Sequence, residues 1–312
     1  MKGGAMPLFE WMRDVYRSQP TLQDKAVLIS GFMRQPRLFL RWMRTLALTP
    51  SLRRMAQRCP RLGIKVFRPY VSRRLSCAER QEILVTHYRF WQRAGLSDLV
   101  ERAVEVPQTL CTIVGKNDSA YGLELHGNAL RCREGESLLY LRAQGSVLYR
   151  AAFTLISDDG HPAIHIGAVQ GLRSDDAADA VRRATRDLYG CRPKNLLVSA
   201  LRALGNDFGC DRCIGIADAN RVLAKGAQNL GDGQYDAMWS EIGATRRTDG
   251  DFMMPCTNIL DTSLADVPSK KRAEVKRKLT LLEDVFRMIR AELQRQRVGH
   301  TAQTGADALS DR

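Results

Sequence analysis

The chain has 312 residues, 44% of them hydrophobic and 26% charged, and carries a formal net charge of +14. This is ordinary globular usage, long enough for one large domain or two modest ones, and it excludes a disordered or fibrous class. The charge is unevenly placed: residues 1–100 hold 19 Lys and Arg against 6 Asp and Glu, whereas residues 101–312 hold 29 against 28.

Residues 8–100 read as helical. Leu38 to Leu48 is dense in apolar residues, with Arg37, Arg41 and Arg44 at helical spacing and Pro36 and Pro50 as brackets. Two readings are open for this helix. Trp42, Phe39 and Leu46 make it an interfacial helix with basic flanks, or they pack on a core while the arginines snorkel. Ser51 to Cys59 predicts a short basic helix or turn. Pro60 and Pro69 predict an extended path through Arg61 to Arg68. Ser76 to Ala94 predicts another helix, with Cys77, Ile83, Leu84, His87, Tyr88 and Trp91 near one face.

From residue 107 the texture changes. Leu110–Val114, Tyr121–Leu125, Ser137–Leu141, Leu148–Ile156 and Ala163–Val169 are short β-rich runs joined by turn-like links. No helix fits between them, so they predict an antiparallel meander. The last run ends in a Gln170-Gly171 bend before a helix on Ala177, Val181, Ala184 and Leu188, with Ser174 as its predicted N-cap. A second helix starts near Pro193 and ends at Gly209. Arg212–Ala217 is a buried strand, Tyr235 to Ile242 a helical turn, and Asp249-Gly250-Asp251 a turn before an extended Phe252–Pro255. Val275, Leu279, Leu282, Phe286, Ile289 and Leu293 make a heptad seam on the final helix. The predicted class is α/β (α+β), a central antiparallel-to-mixed sheet with flanking helices. The expected divisions are a basic helical region over 1–105, an α/β core over 106–262, a C-terminal helix over 263–296 and a disordered tail over 297–312.

Met1 to Pro7 leads into Trp11, Arg13 and Asp14 with no apolar stretch of secretory length. With no apolar run that spans a bilayer and eight scattered cysteines, the expected compartment is the cytoplasm, peripheral at the inner membrane, with free thiols. Cys210 and Cys213 have CxxC spacing but no second pair, so no metal site is expected. P-loop, Gly-x-Gly-x-x-Gly, His-Glu-x-x-His and Gly-x-Ser-x-Gly motifs are all missing, which excludes the common routes to nucleotide hydrolysis, nicotinamide chemistry, zinc proteolysis and serine hydrolysis.

A strand edge that delivers glutamine and glycine to a helix start is where α/β proteins place ligands. His165 lies opposite Ile164 and Ile166 on that strand and reads either as a structural histidine or as a catalytic base. Gln170 and Gly171 are ligand-binding candidates, and Lys194, at the start of the next helix, is a candidate phosphate contact. The basic third points to an acidic partner, an anionic membrane surface or an acidic protein, or else serves solubility alone. Nucleic acid is disfavoured, because no aromatic-interleaved patch accompanies the charge. Lys270, Lys271 and Arg272 oppose the dipole of the last helix; this further basic surface either binds an acidic group or is simply solvated beside Glu274.

Blocks of sequence in consistent order carry a resemblance. They are Pro60-Arg61-Leu62 with Arg68-Pro69-Tyr70, His87-Tyr88, Gly115-Lys116-Asn117, Glu134-Gly135-Glu136, Phe153-Thr154-Leu155 and His165 to Gly171. Arg192-Pro193-Lys194, Tyr235 to Gly243 and Ser269 to Glu274 follow. Together they resemble the VirK/YbjX family, bacterial proteins linked to virulence and to tolerance of antimicrobial peptides. The resemblance implies an envelope-associated factor and adds Arg221, Trp239 and Glu241 to the ligand-binding candidates. Arg221 stands where many members have histidine, and Ala244 where a second glycine is usual, so a role resting on that histidine does not transfer. The order of meander, helix and strand also looks like the acetyltransferase (GNAT) superfamily, which implies an acyl-CoA-dependent alternative at the Gln170-Gly171 bend.

Overall fold

A computed structural model describes residues 7–127, 133–171, 176–222, 234–257, 259–260 and 267–310. Seven helices come first: α1 (Leu8–Ser18), α2 (Leu22–Arg34), α3 (Pro36–Leu48), α4 (Pro50–Arg58), α5 (Leu62–Lys65), α6 (Cys77–Arg93) and α7 (Ser97–Arg102). Their starts follow local chemistry. Thr21 caps α2 by accepting from the Asp24 amide, prolines open α3 and α4, and Ser76 and Glu79 close a reciprocal capping box on α6. These helices bury their own core, which includes Trp11, Phe39, Trp42, Met43, Leu46, Leu52 and Leu84.

Helix α5 corrects the extended path expected between Pro60 and Pro69. The amides of Leu62, Gly63 and Ile64 donate to the carbonyls of Cys59, Pro60 and Arg61. A proline restricts the residue before it, and leaves the residues after it free to turn. Leu62, Gly63 and Ile64 are buried, and Trp42 Nε1 donates to Gly63 O at 3.0 Å, so core packing sets the conformation.

The sheet follows as β1 (Gln108–Val114), β2 (Ala120–Gly127), β3 (Ser137–Ala143), β4 (Ser146–Asp158) and β5 (His161–Gly171). All four successive pairings are antiparallel, which is the meander expected from the spacing. Helices α8 (Ala177–Asp187) and α9 (Pro193–Asp207) then cross over to β6 (Arg212–Gly215), which runs parallel to β5. A 3-10 turn (Asp218–Asn220), α10 (Gln234–Glu241), β7 (Thr245–Arg246), β8 (Phe252–Pro255) and α11 (Ser269–Ser310) complete the described chain. The sheet order is β1-β2-β3-β4-β5-β6-β8-β7, so this is the mixed α/β class expected. Ser174 lies outside the described residues.

Helix α9 covers one face of the sheet, against Phe153, Leu155, Ile164 and Ile166. Helix α11 packs on α9 and β1 and continues past residue 296, where a disordered tail was expected. Its buried positions are Leu281, Leu282, Val285, Ile289 and Leu293. Val285 is buried where the heptad reading placed Phe286. The spacing is that of a straight helix on a globular surface, because no supercoiled partner demands a 3.5-residue period.

Two features of β4 and β5 position the site. First, β3 begins opposite Phe153, so the last part of β4 has no partner on that side. Helix α6 packs there, and His87 Nδ1 accepts from the Leu155 amide at 3.0 Å. The histidine thus satisfies a backbone donor that a strand would otherwise take. Second, the β4–β5 register slips at Gly167, a one-residue bulge. Simple alternation would put His165 and Gln170 on opposite faces. The bulge puts both on the face away from α9.

Candidate functional site

That face of β5 is crossed by residues 133–136. The Glu134 carbonyl sits where a Cβ on Gly167 would be, at 1.8 Å, and a Cβ on Gly135 would meet the Phe153 backbone at 2.7 Å. Both glycines therefore permit a backbone crossing that no side chain would allow. The crossing separates two polar neighbourhoods.

Beyond it lies a cluster at the end of β5. Gln170 Oε1 accepts from Arg150 Nε at 3.2 Å and Nη2 at 2.8 Å, while its Nε2 faces both Glu134 oxygens at 3.4 Å. Arg221 lies 3.8 Å from Glu134, 3.9 Å from Asp218, and 4.5 Å over the Tyr235 ring. The Tyr235 hydroxyl is held at the Val169 backbone, accepting from its amide at 3.1 Å. Burial, reinforced by Glu134, pushes the Tyr235 phenol up to about 12, so it stays a neutral donor.

Before the crossing lies a cleft of about 670 Å³. His165 lines it and is 4% exposed. Its Nε2 faces Asp251 Oδ2 at 3.9 Å, and its buried Nδ1 has no hydrogen-bond partner. Asp251 also accepts from the Ala217 amide and from Asn220 Nδ2, each at 2.8 Å. Burial pushes the Asp251 carboxyl up, but His165 and these donors prevail and hold it below the usual range. The cleft's outer wall includes Val71, a β-branched residue at φ 60° whose amide donates to Arg133 O at 2.7 Å. Asn220 and Arg221, consecutive after β6, join the two neighbourhoods.

The other candidates go elsewhere. Lys194 Nζ pairs with Glu241 at 2.9 Å, and Arg192 joins them, so α9 and α10 are tied at the surface. Trp239 is fully buried, donates from Nε1 to Ile216 O at 2.8 Å, and fills the space a Cβ on Gly215 would need. Gly171 lies against the Tyr149 ring. Among the described residues no group of His, Cys, Asp or Glu is arranged to hold a metal ion. Burial raises the thiols of Cys210, Cys213 and Cys256, which keeps them protonated. Glu134, Tyr235, Asn220 and Asp251 were not among the site residues expected. Glu134 and Tyr235 do fall inside the family blocks. Asp251 read as a turn former, and nothing local in the sequence marks it otherwise.

The family described as "Protein of unknown function (DUF535)" matches residues 18–291. The chain belongs to this family. The uncharacterized protein YbjX of Escherichia coli (strain K12) is 26% identical over 290 residues, covering 91% of this chain and 85% of that protein. An uncharacterized protein of Haemophilus influenzae is 24% identical over 220 residues, 69% of this chain and 72% of its own length. The DUF535 match includes the bulge, the crossing and both polar neighbourhoods.

It also includes most of a basic surface. Phe39, Trp42, Met43 and Leu46 are buried, so that face of α3 is spent in the core. Arg37, Arg41 and Arg44 lie outward, and Arg41 Nε donates to Gln81 Oε1 at 3.1 Å. The neighbouring α2 exposes Leu22 (84%), Ile29 (51%) and Met33 (72%), which share one helical face with exposed Ala26. Phe32, Met33, Arg34, Pro36, Arg37 and Leu40 continue the exposed surface around the corner into α3. Lys270, Lys271 and Arg272 are exposed at the start of α11, with Arg272 Nε donating to Val267 O. No helix among the described residues is long and apolar enough to cross a membrane.

Proposed function

We propose that this chain is a peripheral factor of the bacterial envelope, docking from the cytoplasm onto the anionic surface of the inner membrane through the outer faces of α2 and α3. One observation carries the reading: the exposed stripe Leu22–Ala26–Ile29–Met33 lies beside Arg34, Arg37, Arg41 and Arg44. An apolar stripe with a basic rim suits an interfacial helix. Each basic residue near an anionic leaflet contributes about 1 kcal/mol, and each Ile or Met side chain withdrawn from water about 2 kcal/mol. Charge alone would bind weakly and reversibly. The stripe supplies what charge lacks. The VirK/YbjX resemblance supports placing this surface in virulence and in tolerance of antimicrobial peptides.

An acidic protein would meet the arginines but leaves the stripe unexplained. The acyl-CoA alternative has less support, because Lys194 is engaged by Glu241 and has no contact with Gln170 among the described residues. Co-sedimentation of the full chain with phosphatidylglycerol vesicles tests the proposal. Binding should be strong at low salt, weaken toward physiological salt, and be lost in Ile29→Glu/Met33→Glu with an unchanged melting temperature. Equal binding to neutral vesicles, or full binding by that variant, would overturn it.

A further inference from the structure

The two edges of the sheet are finished differently. At one end β7 is only Thr245–Arg246, and a cation on so short a strand guards against a further strand. At the other end β1 has seven residues, Gln108–Val114, and none is charged. Its first half is guarded, because Pro107 precedes it and the register slips between Thr109 and Cys111. Its second half, Cys111–Val114, has no such guard.

The register shows which backbone groups face outward there. The Gly115 amide donates to Ser119 O at 2.9 Å across the β1–β2 ladder. Ile113 with Tyr121 and Cys111 with Leu123 are then the next bonded pairs, and Thr112 and Val114 turn their N–H and C=O groups away from β2. Among the described residues no hydrogen bond reaches those outward groups. A cavity of about 600 Å³ lies between β1 and α11, lined by Thr112, Ile113 and Val114 in succession. Successive side chains of a strand point to opposite faces, so a cavity lined by all of these runs along the edge itself. Tyr189, Leu281 and Met288 give it an apolar wall. Lys276 and Arg277 stand on its rim, exposed and without an ion pair among the described residues, whereas Asp284 is engaged by Arg287 at 2.6 Å.

We infer that the Cys111–Val114 edge takes up an extended acidic peptide of a partner protein as a further strand, with its backbone bonded to Thr112 and Val114, alternate apolar side chains at Tyr189, Leu281 and Met288, and a carboxylate at Lys276 and Arg277. Charge selects this occupant over a second copy of the chain. Two copies paired edge to edge are related by a two-fold axis normal to the sheet, which puts both α11 helices on one face with their cations together. The inference is independent of membrane docking, which uses other helices. Peptides selected from a displayed random library on the full chain test it, with a selected peptide then followed by fluorescence anisotropy and hydrogen exchange. Selected sequences should be acidic and alternate apolar with polar residues, and binding should slow exchange at the Thr112 and Val114 amides. Thr112→Pro removes one outward donor, leaves the β1–β2 bonds, and should weaken the peptide by about tenfold. Lys276→Glu/Arg277→Glu, on an exposed helical face, should weaken it by about threefold to tenfold at an unchanged melting temperature, and decides the matter if Thr112→Pro does not fold. No selected peptide, unchanged exchange at Thr112 and Val114, or full binding by Lys276→Glu/Arg277→Glu would each overturn the inference. A dimer of the free chain that Thr112→Pro dissociates would overturn it too, by giving the edge to a second copy.

Discussion

The N-terminal helices and the sheet solve the same folding problem with different surfaces. The helices bury tryptophan and methionine and carry their excess of cations outside. The sheet is near neutral overall, and its carboxylates gather in clefts and turns. The difference teaches that net charge describes a segment's surface, while the joint between segments shows in buried polar pairs. Lys65 of α5 pairs with Glu136 beside β3, and Tyr88 donates to the same carboxylate at 2.7 Å. The Arg73 amide donates to Asn220 O at 3.0 Å and holds residues 70–73 against the site. A basic module loosely attached to a neutral one would not need such joints.

The comparison breaks most visibly at the joint. Glu136→Ala should cost about 3–5 kcal/mol in urea unfolding, because it strands the Lys65 ammonium in the interior. The double change Lys65→Met/Glu136→Leu should recover most of that loss. If Glu136→Ala is neutral, the two regions are not coupled there. Trp42→Ala should cost about as much, roughly 3–5 kcal/mol. Leu40→Ala, on the outward face of the same helix, should stay within about 0.5 kcal/mol. Equal costs would mean that α3 is turned the other way.

A smaller effect separates the regions by pH. Burial, with Lys65 nearby, pushes the His87 imidazole down to about 3. The unfolded chain takes up this proton below about pH 6.5, while the folded chain does not until near 3. His87 therefore adds stability that is complete above about pH 6.5 and is lost as pH falls toward 3, by about 1.4 kcal/mol per unit. Urea titrations from neutral to acid pH should show a shallower loss in His87→Gln than in the wild type. Parallel curves would place His87 in solvent. The smallest effect is at the surface pair: Lys194→Ala should shift stability by less than about 1 kcal/mol. If it instead abolished heat from acyl-CoA binding, the acyltransferase reading would displace the membrane one.

Most of the sheet was legible because its strands alternate and its turns carry Gly, Asn and Asp. The first three strands and the Pro193 helix start fell where their local chemistry put them. The face of α3 was not legible, since Trp42 and Leu40 are both apolar and only the fold decides which is inside. The pairing of Gln170 with His165 on one face was hidden too. It depends on a bulge at Gly167, set by a carbonyl from Glu134, more than 30 residues earlier in the chain. Lys194 and Gln170 were expected to share a ligand, but Lys194 is engaged by Glu241 on α10, a contact no spacing rule reveals.

Hydrogen–deuterium exchange of the full chain, with and without phosphatidylglycerol vesicles, tests the central claim most directly. Membrane docking through α2 and α3 predicts new protection on the segment from Leu22 to Leu48, with the sheet and α11 unchanged. Protection confined to the start of α11 at Lys270, Lys271 and Arg272, or none anywhere, would contradict it.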